Sequence, residues 1–545
     1  MNIRACTTTV ALRPHPSFPK LQVVARRSFM HPAAFLTATL LLASGLAHAQ
    51  ETGARVAATQ AGAAQEERPR ARPAVQRASP VQEDRPSASA LREALDSAEV
   101  KAVLNRKVRG VRITQSDLDA AAAASSDISE VTLFDPQIDR PALNASEIQV
   151  LRSRPRPTAA TGTDSITPEI AAARFKPATG AGLTPAPSTQ PGQLKPIMLP
   201  RLDVTAFGEG LHSALAANVA GYAMQMRRNG QTVYTLQWNW ASYPQDQSLG
   251  WNPQRRMHIA SVSKLMTSIA MTKALDEKGI SYDASIANHL PDYWSQHPSI
   301  KNITFRQLMT NSSGFKIDSS NQSFGFMKGW IASGPTIAIG TRDYENFNFG
   351  LQRILIATVA GYIDPDANFG SFVNDLMWNT TTNLAYTDYV NKKVFAPAGV
   401  TGPSLAKPSN PVRAYGFPQS GQGWNSGNLS QQSGGAAWHM SIDEVLKVMG
   451  ALRRGGAIMP PMKAQGLLDA GFGLDSLAGG ATSASGRIFH KNGSWGDGTR
   501  REQCVVFFLP GNMELAVFVN SPISNNDTFL RGLVLGLYES NLVDP

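Results

Sequence analysis

Cysteine is scarce in this sequence, and so are long apolar runs. The 545 residues include two cysteines, Cys6 and Cys504, which excludes a disulfide-stapled scaffold and leaves stability to the hydrophobic core. Cys504 lies in the apolar run Cys504–Leu509, a context that predicts a buried, unreactive thiol. The apolar stretch Ala33–Leu46 near the amino terminus is too short to span a bilayer as a permanent helix.

Charge is not concentrated in the way that nucleic-acid binding requires. The formal net charge is +10, but residues 1–200 carry 24 Lys and Arg against 17 Asp and Glu, and residues 201–545 carry 27 against 24. The larger part is therefore nearly neutral, and no basic stripe with interleaved aromatic residues stands out. We expect no nucleic-acid partner.

The first 49 residues are typical of an export signal. Arg26–Met30 precedes the apolar stretch Ala33–Leu46, and Ala47-His48-Ala49 places small residues at the two positions that a signal peptidase recognises. The arginine pair resembles a twin-arginine signal, and an ordinary secretory signal fits equally well. We expect a periplasmic or secreted protein with no transmembrane anchor after signal removal.

Composition divides the rest of the chain into four parts. Residues 50–90 contain almost no large apolar side chains and are expected to be a disordered linker. Residues 91–152 form an uncertain small structured segment, and whether it is a separate interaction module is left open. Residues 153–200 are rich in Pro and Ala and are typical of a second linker. Residues 201–545 have the pattern of one packed domain.

This domain has strand patterns at both ends and helical patterns between them. Alternation around Asn229-Gly230 predicts a hairpin over 222–238, and apolar strands are expected at 504–509 and 515–519. Four helices are expected, at 202–219, 261–278, 441–454 and 528–540. The sequence therefore predicts an α+β fold, with an antiparallel sheet flanked by helices and an inserted, mostly helical subdomain.

A first short motif, Ser261-Val262-Ser263-Lys264, supplies a nucleophile. Ser261 and Lys264 share one face at the start of a predicted helix. A serine hydroxyl needs a neighbouring base or charge to become nucleophilic, and a lysine one turn away can provide it. Ser313-Gly314-Phe315-Lys316 has the same spacing but contains a glycine and follows no strand or helix pattern, so it is interpreted as a chance match.

A second motif, Tyr344-Glu345-Asn346, supplies a phenol and an amide. Two neighbouring lysines would lower the pKa of Tyr344 from about 10 and let the phenolate act as a general base toward Ser261. The carboxamide of Asn346 can donate and accept hydrogen bonds, which suits a substrate amide. Tyr389-Val390-Asn391 repeats the spacing, so this motif is weak by itself.

A third motif, Lys491-Asn492-Gly493-Ser494, precedes the strands at the carboxyl end. Lys491 is predicted to hold a substrate carboxylate and to act electrostatically on the tyrosine, while Gly493 permits close backbone approach. The backbone N–H groups of Ser261 and Ser494 are candidates for an oxyanion hole, each worth about 3 kcal/mol in the transition state.

In this order the motifs resemble those of the serine β-lactamase and penicillin-binding-protein superfamily, most closely its class C β-lactamase-like branch with DD-peptidases and family VIII esterases. The resemblance covers about residues 201–545 and extends beyond the three motifs. Further matching segments are Ile303–Phe315, Lys278–Asp283 with Leu290-Pro291, Phe395–Val400, and Gly434–Ala436 leading to Ser441–Asp443.

The resemblance implies a β-lactamase/transpeptidase-like fold, with no metal and no cofactor. It implies Ser261 as the acylated nucleophile, Lys264 as its proton partner and Tyr344 as general base and acid. The residues implied to contact the substrate are Asn346, Lys491, Asn492 and Gly493.

Three residues depart from the family pattern. Glu345 replaces a small residue and adds a negative charge beside the site, Asn311 stands where histidine is usual, and Asn492 replaces threonine. These changes argue against efficient β-lactam turnover more than against catalysis itself.

We expect an exported serine hydrolase that acts through an acyl-enzyme on an ester, amide or β-lactam. A DD-carboxypeptidase or a β-lactamase proper is left open, and so is a non-catalytic penicillin-binding-like envelope protein. His258 and His490 keep a Ser-His-Asp triad conceivable. The expected partner is a small-molecule or peptide substrate, a carboxylate-bearing one included, and the oligomeric state is left open.

Overall fold

The computed structural model describes residues 93, 96–124, 142–153, 176–177, 199–371, 373–476, 478–523 and 530–544. The predicted export signal and the first linker lie outside the described residues, as does most of the second linker. None of the described helices combines the length and the apolar character that a membrane crossing requires.

An antiparallel sheet forms the centre of the domain. The described residues contain twelve strands: β1 Lys176–Pro177, β2 Arg201–Leu202, β3 Gly221–Arg228, β4 Gln231–Ser242, β5 Leu249–Gly250, β6 Met257–His258, β7 His439–Met440, β8 Ala481–Ser483, β9 Gly486–Gly496, β10 Arg501–Leu509, β11 Met513–Val519 and β12 Leu542–Val543. Eight of them form the main sheet in the order β1-β4-β3-β11-β10-β9-β8, with β5 on β4. Two small pairs, β2 with β12 and β6 with β7, complete the strands.

Turn residues fix the strand pairing that the sequence predicts. Asn229 and Gly230 have φ values of 53° and 81°, the left-handed geometry of a tight two-residue hairpin, and they join β3 to β4. Residues 510–512 join β10 to β11, which pair from Gln503 opposite Val519 to Leu509 opposite Met513. The predicted hairpin and the two predicted carboxyl-terminal strands are confirmed.

Twelve α-helices surround the sheet in the described part of the chain. They are α1 Ala98–Lys107, α2 Gln115–Ala124, α3 Ala145–Ser153, α4 Val204–Leu215, α5 Ser263–Lys278, α6 Phe305–Met309, α7 Phe324–Ser333, α8 Asn346–Val359, α9 Asn374–Val390, α10 Ile442–Gly450, α11 Pro461–Ala470 and α12 Leu530–Ser540.

The four predicted helices are α4, α5, α10 and α12, with shifted ends. Asp203 caps α4 by accepting the Ala206 N–H, so that helix begins after it. Gly279 ends α5 with φ 64°, as predicted. Ser441 caps α10 in a capping box with Glu444, and the predicted end of this helix is a π-helical segment, Ala451–Gly455.

Both faces of the sheet are covered, because the central strands are apolar on both sides. Along β10, Val505 and Phe507 pack with α3, α4 and α12, whereas Val506 and Phe508 pack with α5 and the helices that follow it. The inserted helices α6 to α9 lie in the chain between β6 and β7. The predicted α+β architecture, a flanked antiparallel sheet with a mostly helical insertion, is confirmed.

The described helices before residue 154 pack onto this domain. Helix α3 contacts α4 and α12, and α2 contacts α9. Lys107 and Arg109 at the end of α1 form ion pairs with Asp366 at 2.8 Å and with Asp364 at 2.6 Å. This part of the predicted 91–152 segment is therefore docked against α4, α12 and the inserted helices.

Candidate active site

Ser261 lies where a short strand turns into a long helix. Strand β6 pairs with β7, and the 3₁₀ turn Ala260–Val262 then leads into α5. Ala260 has φ 44°, in the left-handed region that residues with a Cβ rarely adopt. Strain of this kind costs about 1–3 kcal/mol and collects at functional sites. The sequence did not predict it, because alanine carries no signal for a positive φ.

Lys264 is fully buried beside the serine. Its Nζ lies 3.0 Å from Ser261 Oγ, 2.5 Å from Asn346 Oδ1 and 2.8 Å from the carbonyl oxygen of Gly435. These three acceptors hold the ammonium at the hydroxyl, as the predicted pairing of Ser261 and Lys264 requires. Asn346, predicted to contact substrate, is also a direct partner of the lysine.

Tyr344 meets the same hydroxyl from another part of the chain. Its hydroxyl donates to Ser261 Oγ at 2.7 Å across 83 residues of sequence. The ammonium groups of Lys264 and Lys491 lie 4.9 Å and 5.2 Å from the centre of its ring. The structure therefore brings together all three residues predicted to be catalytic, with both predicted lysines beside the phenol.

Two side chains that the sequence marked as departures hold the tyrosine segment in place. Asn311 accepts the Glu345 N–H at 3.2 Å and an Asn348 N–H at 3.1 Å through Oδ1. The Glu345 carboxylate accepts the N–H groups of Ile317 at 2.5 Å and Asp318 at 2.9 Å. Through these hydrogen bonds, both residues hold the backbone next to Tyr344 in place.

Burial of Glu345 favours the protonated, neutral form of its carboxyl group. Burial raises its pKa to about 7, and the neighbouring Asp318 and Asp343 act in the same direction against the two N–H bonds. The carboxylate of Glu345 is turned toward the 315–318 loop. The predicted negative charge beside the site is thus a buried group that titrates near neutrality.

A buried glutamine supports the lysine and was not predicted. Gln322 Oε1 accepts the Gly435 N–H at 3.1 Å, and its Nε2 donates to Gln432 at 2.9 Å. Because the Gly435 carbonyl is a partner of Lys264, Gln322 fixes an acceptor of the Lys264 ammonium. No motif marks a glutamine at this distance in sequence, so only the tertiary structure could identify it.

Lys491 forms a buried ion pair that was not predicted. Its Nζ lies 2.6 Å from Asp475 Oδ1, and the two side chains are 1% and 0% exposed. Burial lowers the pKa of Lys491, and Asp475 opposes that shift. Burial by itself would raise the pKa of Asp475. The Lys491 ammonium and the Asn492 N–H outweigh this effect, and the pKa of Asp475 lies below its usual value. The predicted contact of Lys491 with a substrate carboxylate stays a prediction.

Strand β9 presents an edge without a strand partner toward the turn that carries Ser261. The His490 carbonyl accepts from the Asp475 N–H at 3.0 Å and the Asn492 N–H donates to Asp475 Oδ2 at 2.7 Å, both away from β10. Backbone groups alternate along an antiparallel strand, so the Ser494 N–H points to the same edge. Strand β8 covers this edge only up to residue 488. The predicted second oxyanion donor is placed on the side that packs against Ser261.

Gly493 is the residue that lets the strand approach this closely. A Cβ at this position would lie 2.3 Å from the Ile259 carbonyl oxygen and 2.7 Å from Cys504 Sγ. Cys504 is a buried, unpaired thiol whose pKa is raised by burial, as its apolar run predicted. The predicted close approach at Gly493 is present. Asn492 beside it is 8% exposed, and its Oδ1 has no hydrogen-bond partner among the described residues.

The side chains of the two motifs that repeat the Ser-x-x-Lys and Tyr-x-Asn spacings bind to residues outside the Ser261 site. The Ser313 hydroxyl donates to Asn348 at 2.6 Å, and Lys316 forms an ion pair with Asp343 at 2.7 Å. The Tyr389 hydroxyl donates to Glu277 at 3.1 Å. Neither chance match forms a nucleophile and base pair of its own.

The two histidines considered for a triad are buried in the core. His258 Nδ1 lies 3.2 Å from Glu502 Oε2, and burial with the nearby His439 lowers the pKa of His258 well below its usual value. Burial also lowers the pKa of His490 to about 4. Ser261 is contacted by Lys264 and Tyr344, so its geometry favours the lysine and tyrosine set.

A comparison with known proteins identifies the family of this chain. The sequence model of the family described as Beta-lactamase matches residues 209–536, more than half of the chain. Among solved structures, FmtA from Staphylococcus aureus is 15% identical, covers 64% of this chain and 91% of its own, and superposes with a TM-score of 0.46. A beta-lactamase/D-alanine carboxypeptidase from Pseudomonas syringae is 14% identical over 62% of this chain and 96% of its own, with a TM-score of 0.46. This chain belongs to the beta-lactamase family and has its β-lactamase/transpeptidase-like fold.

Proposed function

We propose that this protein is a serine hydrolase that works through an acyl-enzyme at Ser261. The observation that carries the proposal is the meeting of Lys264 and Tyr344 at one hydroxyl, at 3.0 Å and 2.7 Å. A structural role does not require a lysine and a tyrosine to share a serine hydroxyl. An activated nucleophile requires such an arrangement.

The steps follow from the positions of these groups. Tyr344 enters the reaction as the phenolate: the oxygen of Ser261 attacks the substrate carbonyl carbon while its proton passes to the phenolate oxygen, and Lys264 stabilises the negative charge that develops. The N–H groups of Ser261 and Ser494 stabilise the tetrahedral oxyanion. Tyr344 returns the proton to the leaving group as the carbonyl–leaving-group bond breaks. Water then attacks the acyl-enzyme and loses a proton to Tyr344, which passes this proton to the oxygen of Ser261 as the acyl–oxygen bond breaks and the acid is released.

Two features favour an ester or amide substrate over a β-lactam. The ammonium of Lys491 is occupied by Asp475, and Asn492 offers an amide in place of the threonine hydroxyl usual in the family. Both changes weaken the carboxylate contact that the third motif is expected to supply. We therefore place esterase or peptidase activity ahead of a dedicated β-lactamase.

Covalent labelling tests the proposal directly. We expect a fluorophosphonate to form one adduct, mapped to Ser261 by mass spectrometry, and to form none on the Ser261→Ala variant. Ser313→Ala is the matched control, because Ser313 has the same spacing to a lysine but donates to Asn348. Absence of an adduct on Ser261 would contradict the mechanism. Loss of labelling in Ser313→Ala, with labelling retained in Ser261→Ala, would contradict it as well.

Turnover separates a hydrolase from a binding protein with the same fold. A screen of p-nitrophenyl esters, nitrocefin and D-Ala-D-Ala peptides is expected to give the highest kcat/KM on an ester. An acyl adduct that forms once and never clears would favour the non-catalytic alternative instead. Preference for nitrocefin or for the peptide would assign a β-lactamase or a DD-carboxypeptidase.

We also propose that the protein is exported to the periplasm or secreted. The support is the charged, apolar and small-residue order of 26–49 in the sequence. The expected mature protein begins immediately after Ala49, which mass spectrometry of the amino-terminal peptide would measure. Recovery of a cell-associated chain that retains residues 1–49 would contradict export.

A further inference from the structure

Arg353 is a fully buried cation on α8 that bonds to neutral groups. Its side chain is 0% exposed, and among the described residues its guanidinium forms hydrogen bonds to uncharged acceptors and no ion pair. Burial lowers the pKa of Arg353 to about 10, so the group is still charged at neutral pH. Burying an unpaired charge is costly, and an apolar side chain of similar volume is often at least as stable in such a place. Stability alone therefore gives no reason for an arginine here.

The guanidinium joins three segments of the chain through four acceptors. Its Nη1 donates to the carbonyl oxygen of Gln431 at 3.2 Å and to Ser433 Oγ at 3.3 Å. Its Nη2 donates to the carbonyl oxygen of Gln322 at 3.4 Å and to Asn379 Oδ1 at 3.5 Å. A planar fork of five donors can bind four acceptors at once, whereas the ammonium of a lysine offers three donors from one atom. The arginine therefore fixes the three segments relative to one another.

Two of these segments meet again at an acceptor of Lys264. Residues 431–435 form a turn, and the Gly435 N–H of this turn donates to Gln322 Oε1 at 3.1 Å. The Gly435 carbonyl oxygen accepts from Lys264 Nζ at 2.8 Å. Arg353 is thus linked to the Lys264 ammonium through Gln322 and Gly435, with a printed-length hydrogen bond at each step.

The turn lies directly on the two helices that carry the site. A Cβ at Gly434 would overlap the Phe349 carbonyl oxygen of α8, and Thr267 on α5 donates to the Gly434 carbonyl oxygen at 2.7 Å. Interiors packed this closely transmit small displacements to their neighbours. A shift of the turn would therefore change the contact between the Gly435 carbonyl and Lys264 Nζ.

We propose that Arg353 is a positioning residue for Lys264: it holds Gln322 and the 431–435 turn so that the Gly435 carbonyl oxygen meets the ammonium. The inference rests on the proposed function, in which Lys264 acts as an ammonium, and it adds a residue that acts through other groups. This role gives a reason for a buried guanidinium where stability does not require one.

Hydrogen exchange tests the positioning without any turnover. Arg353→Lys keeps the charge but loses the planar fork, and Gln322→Met removes the acceptor of the Gly435 N–H at similar volume. We expect the backbone amides of the 431–435 turn to exchange about tenfold faster in both variants than in wild type. Mass spectrometry of the peptide that contains the turn measures this difference.

The pH dependence of fluorophosphonate labelling tests the effect on Lys264. The labelling rate is expected to rise as Tyr344 loses its proton and to fall as Lys264 loses its own. An ammonium whose carbonyl acceptor is displaced is less stable, so the falling limb should move to lower pH by about 0.5–1 unit in both variants. Glu345, Lys491 and Asp475, the other titratable groups beside this pair, are the same in every protein compared.

Arg453→Lys is the matched control. Arg453 is another arginine that donates to two backbone carbonyl oxygens, those of Leu509 at 2.8 Å and Met513 at 3.1 Å. Its replacement removes the same kind of fork at the β10–β11 turn. We expect wild-type exchange of the 431–435 turn and an unmoved falling limb.

The outcomes separate this inference from the proposed function. Faster exchange of the turn together with a shifted limb supports the positioning role. Wild-type exchange in both variants, faster exchange with an unmoved limb, or an equal limb shift in Arg453→Lys would overturn it. Absence of labelling in wild type would refute the proposed function alone, and exchange of the turn would still decide whether Arg353 holds it.

Discussion

Removing one partner of the Lys491–Asp475 pair should destabilise the protein strongly. The two side chains are 1% and 0% exposed and their charged atoms are 2.6 Å apart. Asp475→Asn leaves a buried ammonium without a counter-ion, and Lys491→Met leaves a buried carboxylate with the Asn492 N–H as its remaining partner. Each single variant is expected to lose about 3–5 kcal/mol of unfolding free energy.

The double variant tests whether burial of charge is the cause. Asp475→Asn/Lys491→Met buries neither charge, so its loss should be smaller than the sum of the two single losses by about 2 kcal/mol. Urea titrations of the four proteins at pH 7, followed by tryptophan fluorescence, measure these differences.

An exposed ion pair of the same length is the matched control. Arg306 and Asp283 are also 2.6 Å apart, but their side chains are 42% and 62% exposed. Asp283→Asn should stay within about 1 kcal/mol of wild type, because water solvates whatever charge remains. Additive losses in the double variant, or an Asp475→Asn protein as stable as Asp283→Asn, would refute this reasoning.

Three further outcomes are expected. Lys264→Met should slow fluorophosphonate labelling of Ser261 by about 10²- to 10⁴-fold, because the ammonium 3.0 Å from Oγ is lost; an unchanged labelling rate would contradict its role. The free energy of unfolding of the wild type should fall by about 3 kcal/mol as the pH rises from 4.5 to 7. Burial raises the pKa of Glu345 to about 7, so the folded state holds this proton more tightly than the unfolded state does. Glu345→Gln should abolish this fall. Urea titrations across this range measure it, and parallel profiles would count against the assignment. Gly493→Ala should lose about 1–3 kcal/mol in the same assay, because its Cβ would lie 2.3 Å from the Ile259 carbonyl oxygen; wild-type stability would show that the strand is not so close.

Much of the fold could be predicted because local chemistry dictates it. Asn229-Gly230 supplies two positive φ values at low steric energy, so the hairpin is fixed wherever it sits in the fold. Ser441 and Glu444 cap their helix through contacts three residues apart. The missed end of α10 depends on π-helical geometry, which apolar periodicity does not reveal.

The residues that surround the motifs could not be predicted in the same way. Nothing in the sequence ties Asp475 to Lys491, or Gln322 to Gly435 across 113 positions. These pairs exist because the sheet and the inserted helices bring distant segments together. Glu345 likewise turns toward the 315–318 loop because two backbone N–H groups of that loop donate hydrogen bonds to its carboxylate.

The sequence alone indicated the family, the order of the three motifs and the serine, lysine and tyrosine that meet in the folded chain, because these are encoded in short stretches with fixed spacing. The tertiary structure decided which charges remain available to a substrate. Whether a lysine can bind an anion depends on its burial and on the acid beside it, and both are properties of packing between segments far apart in the chain. Asp475 neutralises Lys491, a pairing that only the folded chain contains.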